Sequence, residues 1–144
     1  MDKEQYITER LDCQIHWYDS KSQTNKKWFK SLRAIEIVCA AIIPFFAGLS
    51  ENIPFGNMII GILGIVIAIC VGLSTLNKYH ENWLNYRTIC ETLRHEKYLF
   101  MTNSKPYAEE GEFGQFVEKI ESLISKENSQ WSRNTIGKSN NKSN

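Results

Sequence analysis

From Ala34 to Leu76 the chain runs 43 residues without a Lys or Arg, although it holds 17 of them. Seven lie before this gap and ten after it, and the only acids within it are Glu36 and Glu51. No other feature so narrows what the chain can become. With 144 residues there is material for one domain at most, too little to wrap two long apolar helices in a shell of others. The averages (42% hydrophobic, 23% charged, net charge +1) resemble those of a soluble protein only because basic flanks and an apolar middle are pooled. The pattern excludes a soluble globule, a nucleic-acid binder and a secreted disulfide scaffold. It predicts a small membrane protein.

The stretch from Ile53 to Leu76 has no charge, and Asn57 is its only strongly polar side chain. As a helix it reaches about 36 Å, enough to cross a hydrocarbon core of about 30 Å with some tilt. Backbone amides find no water there, so such a segment crosses as a helix. Ala34–Leu49 is shorter, about 24 Å as helix, and carries Glu36 and Pro44. It spans if Trp28 and Phe29 lie among the headgroups while Lys30 and Arg33 reach outward; a re-entrant or interfacial segment is the alternative. The short polar stretch between the two can join only antiparallel neighbours. We therefore expect a first span at 34–49, an external turn at 50–53 and a second span at 54–76. Basic residues on both flanks and none in the turn place both termini in the cytosol, with the hairpin in the inner (plasma) membrane. The amino terminus lacks the basic-then-apolar pattern of a cleaved signal.

Residues 4–33 read as a cytosolic helix, amphipathic through Ile7, Leu11, Cys13, Ile15 and Tyr18. No proline precedes Pro44, so this helix can run on into the first span. After Leu76, Tyr79, Trp83, Tyr86, Cys90, Leu93, Lys97 and Phe100 step alternately by four and three, a 3.5-residue seam suited to coiled packing. One helix from Ile53 to Met101 is expected, with a cytosolic extension at 77–102. Residues 103–111 read as a loop, and 112–131 as a C-terminal helix with Phe113, Phe116, Val117, Ile120, Leu123, Ile124 and Trp131 on one face. The Ser-, Asn- and Lys-rich residues 132–144 are expected to form a disordered tail. The fold class is all-α: residues 1–131 form a two-helix membrane hairpin whose long helices extend into a cytosolic bundle, and the assembly is oligomeric.

Candidate functional residues are few. Gly61, Gly64, Ala68, Gly72 and Thr75 fall within an arc of about 80° on the second span at 100° per residue, a small-residue face that lets helices approach closely. Ala34, Ala41 and Gly48 make one such stripe on the first span, and Ala40 and Ala47, with Glu36, make another opposite. Two stripes imply two partners, the second span and a neighbouring subunit. Glu36 is the only ionisable side chain within the spans. It is either part of a carboxylate ring at the cytosolic mouth of an oligomeric pore, favouring cations, or the i,i+3 partner of Arg33. The four cysteines and three histidines show no ligand spacing, and no phosphate loop or nucleophile motif occurs. We expect no enzyme, no catalytic residue, no metal and no cofactor.

Gln14-x-x-Trp17-Tyr18-Asp19-x-Lys21-Ser22-x-x-Asn25 precedes the first span, which contains Ala40-Ala41-Ile42-Ile43-Pro44. Tyr79-x-x-x-Trp83-x-x-Tyr86-Arg87, Leu93-x-x-Glu96 and Glu127-x-x-x-Trp131 follow the second. In these motifs, over residues 7–131, the chain resembles the bacterial family called domain of unknown function 4231, related to the SLATT superfamily of two-transmembrane effectors. The resemblance implies a pore-forming or membrane-perturbing effector triggered by a nucleotide-signalling partner protein. From the residues themselves, Trp17, Tyr18, Asp19, Lys21, Trp83, Tyr86 and Arg87 have two readings. They pack adjacent helices just outside the membrane, with Asp19 and Lys21 paired to Arg87 and Glu81, or they form an aromatic pocket with Arg87 as its anion contact. The expected function is an oligomeric two-span channel or pore-forming effector gated through its cytosolic helices, with the lipid bilayer and copies of itself as partners and no nucleic acid. A non-conducting membrane-anchored scaffold or sensor that recruits a cytosolic partner is the alternative.

Overall fold

The computed structural model describes residues 1–49, 51–108 and 112–140, with backbone alone for 131 and 134–140. Among these residues every regular element is helical: α1 (Lys3–Gln5), a π-helical turn (Tyr6–Leu11), α2 (Asp12–Leu49), α3 (Gly56–Asn77), α4 (Tyr79–Met101) and α5 (Glu112–Asn140). The chain divides into two compact units. One is Asp19–Arg87; the other combines Met1–Tyr18 with Thr88–Asn144.

Asp19–Arg87 is an antiparallel hairpin. Its turn closes on Leu49, whose carbonyl accepts from the N–H of Asn52 and Ile53 at 3.0 and 3.2 Å. Phe55 then takes a left-handed conformation (φ 70°) and α3 begins at Gly56. The buried and half-buried positions of α2 within this unit include Ser22, Asn25, Phe29, Leu32, Glu36, Cys39, Ile43 and Phe46. Those of α3 include Gly56, Ile60, Leu63, Ile67, Cys70 and Ser74. Both sets alternate three- and four-residue steps, so a coiled seam joins the helices. The expectation that the alanine and glycine stripes of the first span supply this contact is corrected: Ala34, Ala40, Ala41, Ala47 and Gly48 are exposed. Larger side chains on the seam bury more area per residue, which decides the face that closes the hairpin.

Away from that seam the apolar surface is bare. In each of the two helical runs the apolar window is only 6% buried. The core helix of a soluble protein shows the reverse. Both runs are long and apolar enough to cross a membrane.

α3 and α4 do not form the uninterrupted helix their pattern predicts. Lys78 sits between them in the left-handed region (φ 49°, ψ 41°), at a cost of roughly 1–2 kcal/mol for a non-glycine residue. Local hydrogen bonds offset it. The Asn82 side-chain amide donates to the Asn77 carbonyl at 3.1 Å, and the Asn82 N–H to the Lys78 carbonyl at 2.9 Å.

In the second unit the N-terminal segment, the end of α4 and the start of α5 enclose a core of Tyr6, Leu11, Ile15, Tyr18, Cys90, Leu93, Tyr107, Phe116, Ile120 and Ile124. Phe116 stacks on Phe100 at 4.2 Å and meets Tyr107 edge-on at 5.5 Å. Tyr6 and Leu11 are five positions apart, too many for one α-helical face, and the π turn resolves this. The Asp12 N–H reaches the Ile7 carbonyl, widening the turn so that both side chains point to the core. Cys13, expected in the apolar stripe, is exposed, because the stripe steps from Leu11 directly to Ile15 and Tyr18. α4 ends as the sequence predicts. Asn103 takes the left-handed cap (φ 48°) and the Ser104 N–H returns to the Leu99 carbonyl at 3.0 Å. α5 continues to Asn140, where composition predicts a disordered tail from 132; no proline stops it, and Ser, Asn and Lys each cost only tenths of a kcal/mol. Residues 141–144 of that tail, the side chain of Trp131, and Ser50 of the turn lie outside the described residues.

Candidate functional site

The hairpin holds the spans' one ionisable group on its seam. Glu36 lies between Leu32 and Cys39 in the 3.5-residue pattern, and Arg33 Nη1 donates to both of its carboxylate oxygens at 3.0 Å. The Glu36 side chain is 23% exposed and that of Arg33 60%. The i,i+3 pair of the two sequence-based alternatives is thus formed. It leaves a locally neutral unit with its guanidinium toward solvent or headgroups.

The small-residue face of α3 is open. An added Cβ at Gly61, Gly64 or Gly72 meets nothing within 4 Å, and Ala68 is exposed. Gly61, Gly64 and Ala68 are exposed, and Gly72 is half-buried.

Opposite the turn, the hairpin carries an aromatic collar. Trp28 stacks on Tyr79 at 6.1 Å, Phe29 lies 4.8 Å from His80 and 6.3 Å from Trp83, and Lys26 Nζ sits 5.6 Å from the Trp83 ring centre. Ser22 is fully buried beneath it, its Oγ donating to the Trp83 carbonyl at 3.5 Å. Five motif residues, Asp19, Lys21, Trp83, Tyr86 and Arg87, belong to this unit; Trp83 and Tyr86 are half-buried, and Lys21 and Arg87 are exposed. Glu81 pairs with Lys78 at 3.4 Å. Trp17 and Tyr18 belong to the other unit. Trp17 is exposed and edge-on to Tyr18 at 5.0 Å, while Tyr18 is buried and donates to Glu127 Oε2 at 2.7 Å. Tyr18 and Trp83 thus lie in different units, each against other parts of its own unit.

The second unit contains a polar network that sequence reasoning missed. Glu121 accepts from Tyr6 Oη at 2.9 Å and from Arg10 Nε and Nη2 at 3.1 and 3.0 Å. The Arg10 guanidinium holds the Glu121 carboxyl below its ordinary range, and the carboxylate in turn raises Arg10. Burial pushes the Tyr6 phenol far above its usual value, and burial with the Glu96 carboxylate does the same to Tyr107, which donates to Glu96 at 2.7 Å. Lys97 donates to Asp12 at 2.6 Å, so the one charged position of the α4 seam is neutralised in place. A groove of about 640 Å³ opens at the end of this unit, lined by Lys3, Ile7, Phe100, Tyr107 and Phe113 among others. The partners in these bonds lie far apart in sequence, so no local pattern announces them. Tyr6, five residues before Leu11, is the only hint.

Among the described residues no three His, Cys, Asp or Glu side chains converge as a metal site needs, and the four cysteines are free thiols. The structure brings together an open glycine face, a bare apolar surface and an aromatic collar with cations. No curated protein and no solved structure matches the chain. The family model described as a protein of unknown function (DUF4231) matches residues 13–112, which covers both apolar helices and the whole collar. With well over half of its length inside that match, the chain belongs to the DUF4231 family.

Proposed function

We propose that the protein is an integral membrane hairpin that associates with copies of itself into a channel or pore-forming effector, gated through the unit built from residues 1–18 and 88–140. The open glycine face of α3 supports this most directly. Three glycines on one face of a helix weaken it by about 1 kcal/mol each relative to alanine. Close approach of another helix recovers that cost through packing, and among the described residues a Cβ added at Gly61, Gly64 or Gly72 meets nothing within 4 Å. A hairpin of two spans cannot enclose a polar pathway, so conduction requires several copies. Both termini lie in the cytosol of a bacterial inner membrane, as the basic flanks argue. The resemblance to SLATT effectors adds a nucleotide-signalling partner as the trigger.

The test is electrical recording from purified protein in planar bilayers, alongside its mass in detergent. An oligomer with discrete conductance steps is expected. The Arg33–Glu36 pair favours a second function, a non-conducting membrane scaffold or sensor, because it cancels the charge that would line an entrance. A verified oligomer that stays electrically silent in every preparation would establish the scaffold instead.

A further inference from the structure

The collar end of the hairpin carries a basic patch on α2. On α2, Lys26, Lys30 and Arg33 fall at i, i+4 and i+7 and so form one stripe, with Lys27 beside it and Trp28 next. Three cations of the region have partners: Arg33 with Glu36, Lys78 with Glu81, and Lys26 over the Trp83 ring. Lys27 and Lys30 are exposed, and among the described residues neither has a carboxylate within ion-pair distance. Trp28 remains 54% exposed although it stacks on Tyr79, so the two rings form a plate at the level of the lysines.

The depth of these groups defines what they meet. Lys26 to Arg33 covers about 10 Å along the helix, comparable to the headgroup layer of one leaflet, about 5–8 Å. One turn further on, Ile35, Ile37 and Val38 of α2 are exposed, as are Leu73 and Leu76 of α3. A ligand satisfying the whole surface has a phosphate for the lysines, a polar–apolar boundary for the ring plate and hydrocarbon for the aliphatic side chains.

We infer that Lys27 and Lys30, flanked by the Trp28–Tyr79 plate, bind the phosphodiester headgroup of an anionic phospholipid. A free phosphate would meet the same cations but gain nothing from the apolar residues a turn away. A nucleic-acid strand would lay its backbone along cations and find no continuation of them past Ile35. The site rests on the membrane reading given above, because only in a bilayer do the lysines stand at headgroup depth.

The experiment uses the full chain in neutral detergent and follows its thermal unfolding during titration with phosphatidylglycerol, phosphatidylcholine or inorganic phosphate. Phosphatidylglycerol is expected to raise Tm saturably and more than phosphatidylcholine does, with the difference lost in 0.5 M salt. Each neutralised lysine should weaken the effect about fivefold, so the Lys27→Gln/Lys30→Gln double variant needs roughly 25-fold more lipid, whereas Lys27→Arg/Lys30→Arg behaves as the parent. Equal stabilisation by both lipids, an unchanged midpoint in the double Gln variant, or full stabilisation by inorganic phosphate overturns the site. Tight binding of a single-stranded RNA, lost in the same Gln variant, also overturns it. Alkaline carbonate extraction of native membranes separates the two levels. Retention without lipid preference defeats the headgroup site alone, and release of the protein defeats the membrane reading beneath it.

Discussion

Glu121 gathers donors from the other end of the chain, and its pH behaviour follows from that position. Its carboxyl is held below the ordinary value of 4.5 by Arg10 first, then by Tyr6. A depressed carboxyl stabilises the fold fully above its unfolded pKa, and the contribution fades as pH falls through the folded value. Glu121→Gln is therefore expected to cost about 1 kcal/mol near neutrality, the modest figure reflecting side chains that are 41–42% exposed. The difference from the parent should shrink progressively as pH falls below the ordinary carboxyl value of 4.5, as thermal melts across pH would read. Tyr6 and Tyr107 act at the other flank. Their raised phenols favour the fold fully below an ordinary value of 10.0, and that support is lost as pH rises above it. At the mouth of the hairpin, Arg33 masks Glu36 with two 3.0 Å bonds. Glu36→Gln should thus scarcely move the reversal potential of a conducting oligomer, while Arg33→Gln uncovers a ring of carboxylates and should shift selectivity toward cations.

The two long helices make separate demands at the level of whole elements. A Cβ at Gly64 meets nothing within 4 Å and leucine is the better helix former, so Gly64→Leu should raise the thermal stability of the chain by up to about 1 kcal/mol while lowering the oligomer's mass in detergent. A fall in stability with no change in mass would mean the face supports the hairpin itself. At the break between α3 and α4, Lys78→Gly removes the left-handed penalty and should stabilise by up to about 1 kcal/mol, read from the same melts. What the sequence makes legible follows from where side-chain chemistry varies. The limits of α2 and α4 stand out because charge and Asn103 change there, and the Tyr79–Phe100 seam shows because apolar residues alternate with polar ones. Inside 34–76 nearly every residue is apolar, so periodicity carries no contrast, and size alone points to Ala and Gly stripes that turn out to be exposed. The break at Lys78 is silent for another reason: lysine is a good helix former, and nothing local marks it for a left-handed turn.

At the scale of the whole molecule, orientation is the most direct question. With both ends cytosolic, a cysteine at Asn52, in a chain stripped of its own four, should react with an impermeant maleimide on intact spheroplasts; labelling only after permeabilisation would place the turn inside. The seam chemistry of the candidate site was partly legible, since Tyr18, Trp83 and Glu36 were singled out from sequence, yet their partners Glu127, Ser22 and the ring collar needed the fold. The division of the chain has a consequence for its biosynthesis. Residues 19–87 form a continuous hairpin, whereas the other unit is assembled from 1–18 and 88–144. Translation delivers Tyr6, Leu11, Ile15 and Tyr18 first, and their partners Phe116, Ile120 and Ile124 emerge only after the entire hairpin has left the ribosome. The apolar face of the first segment therefore stays unfilled until the whole hairpin has been made. On the proposed membrane reading, that core can close only if insertion leaves the hairpin's two open ends on the same side of the bilayer.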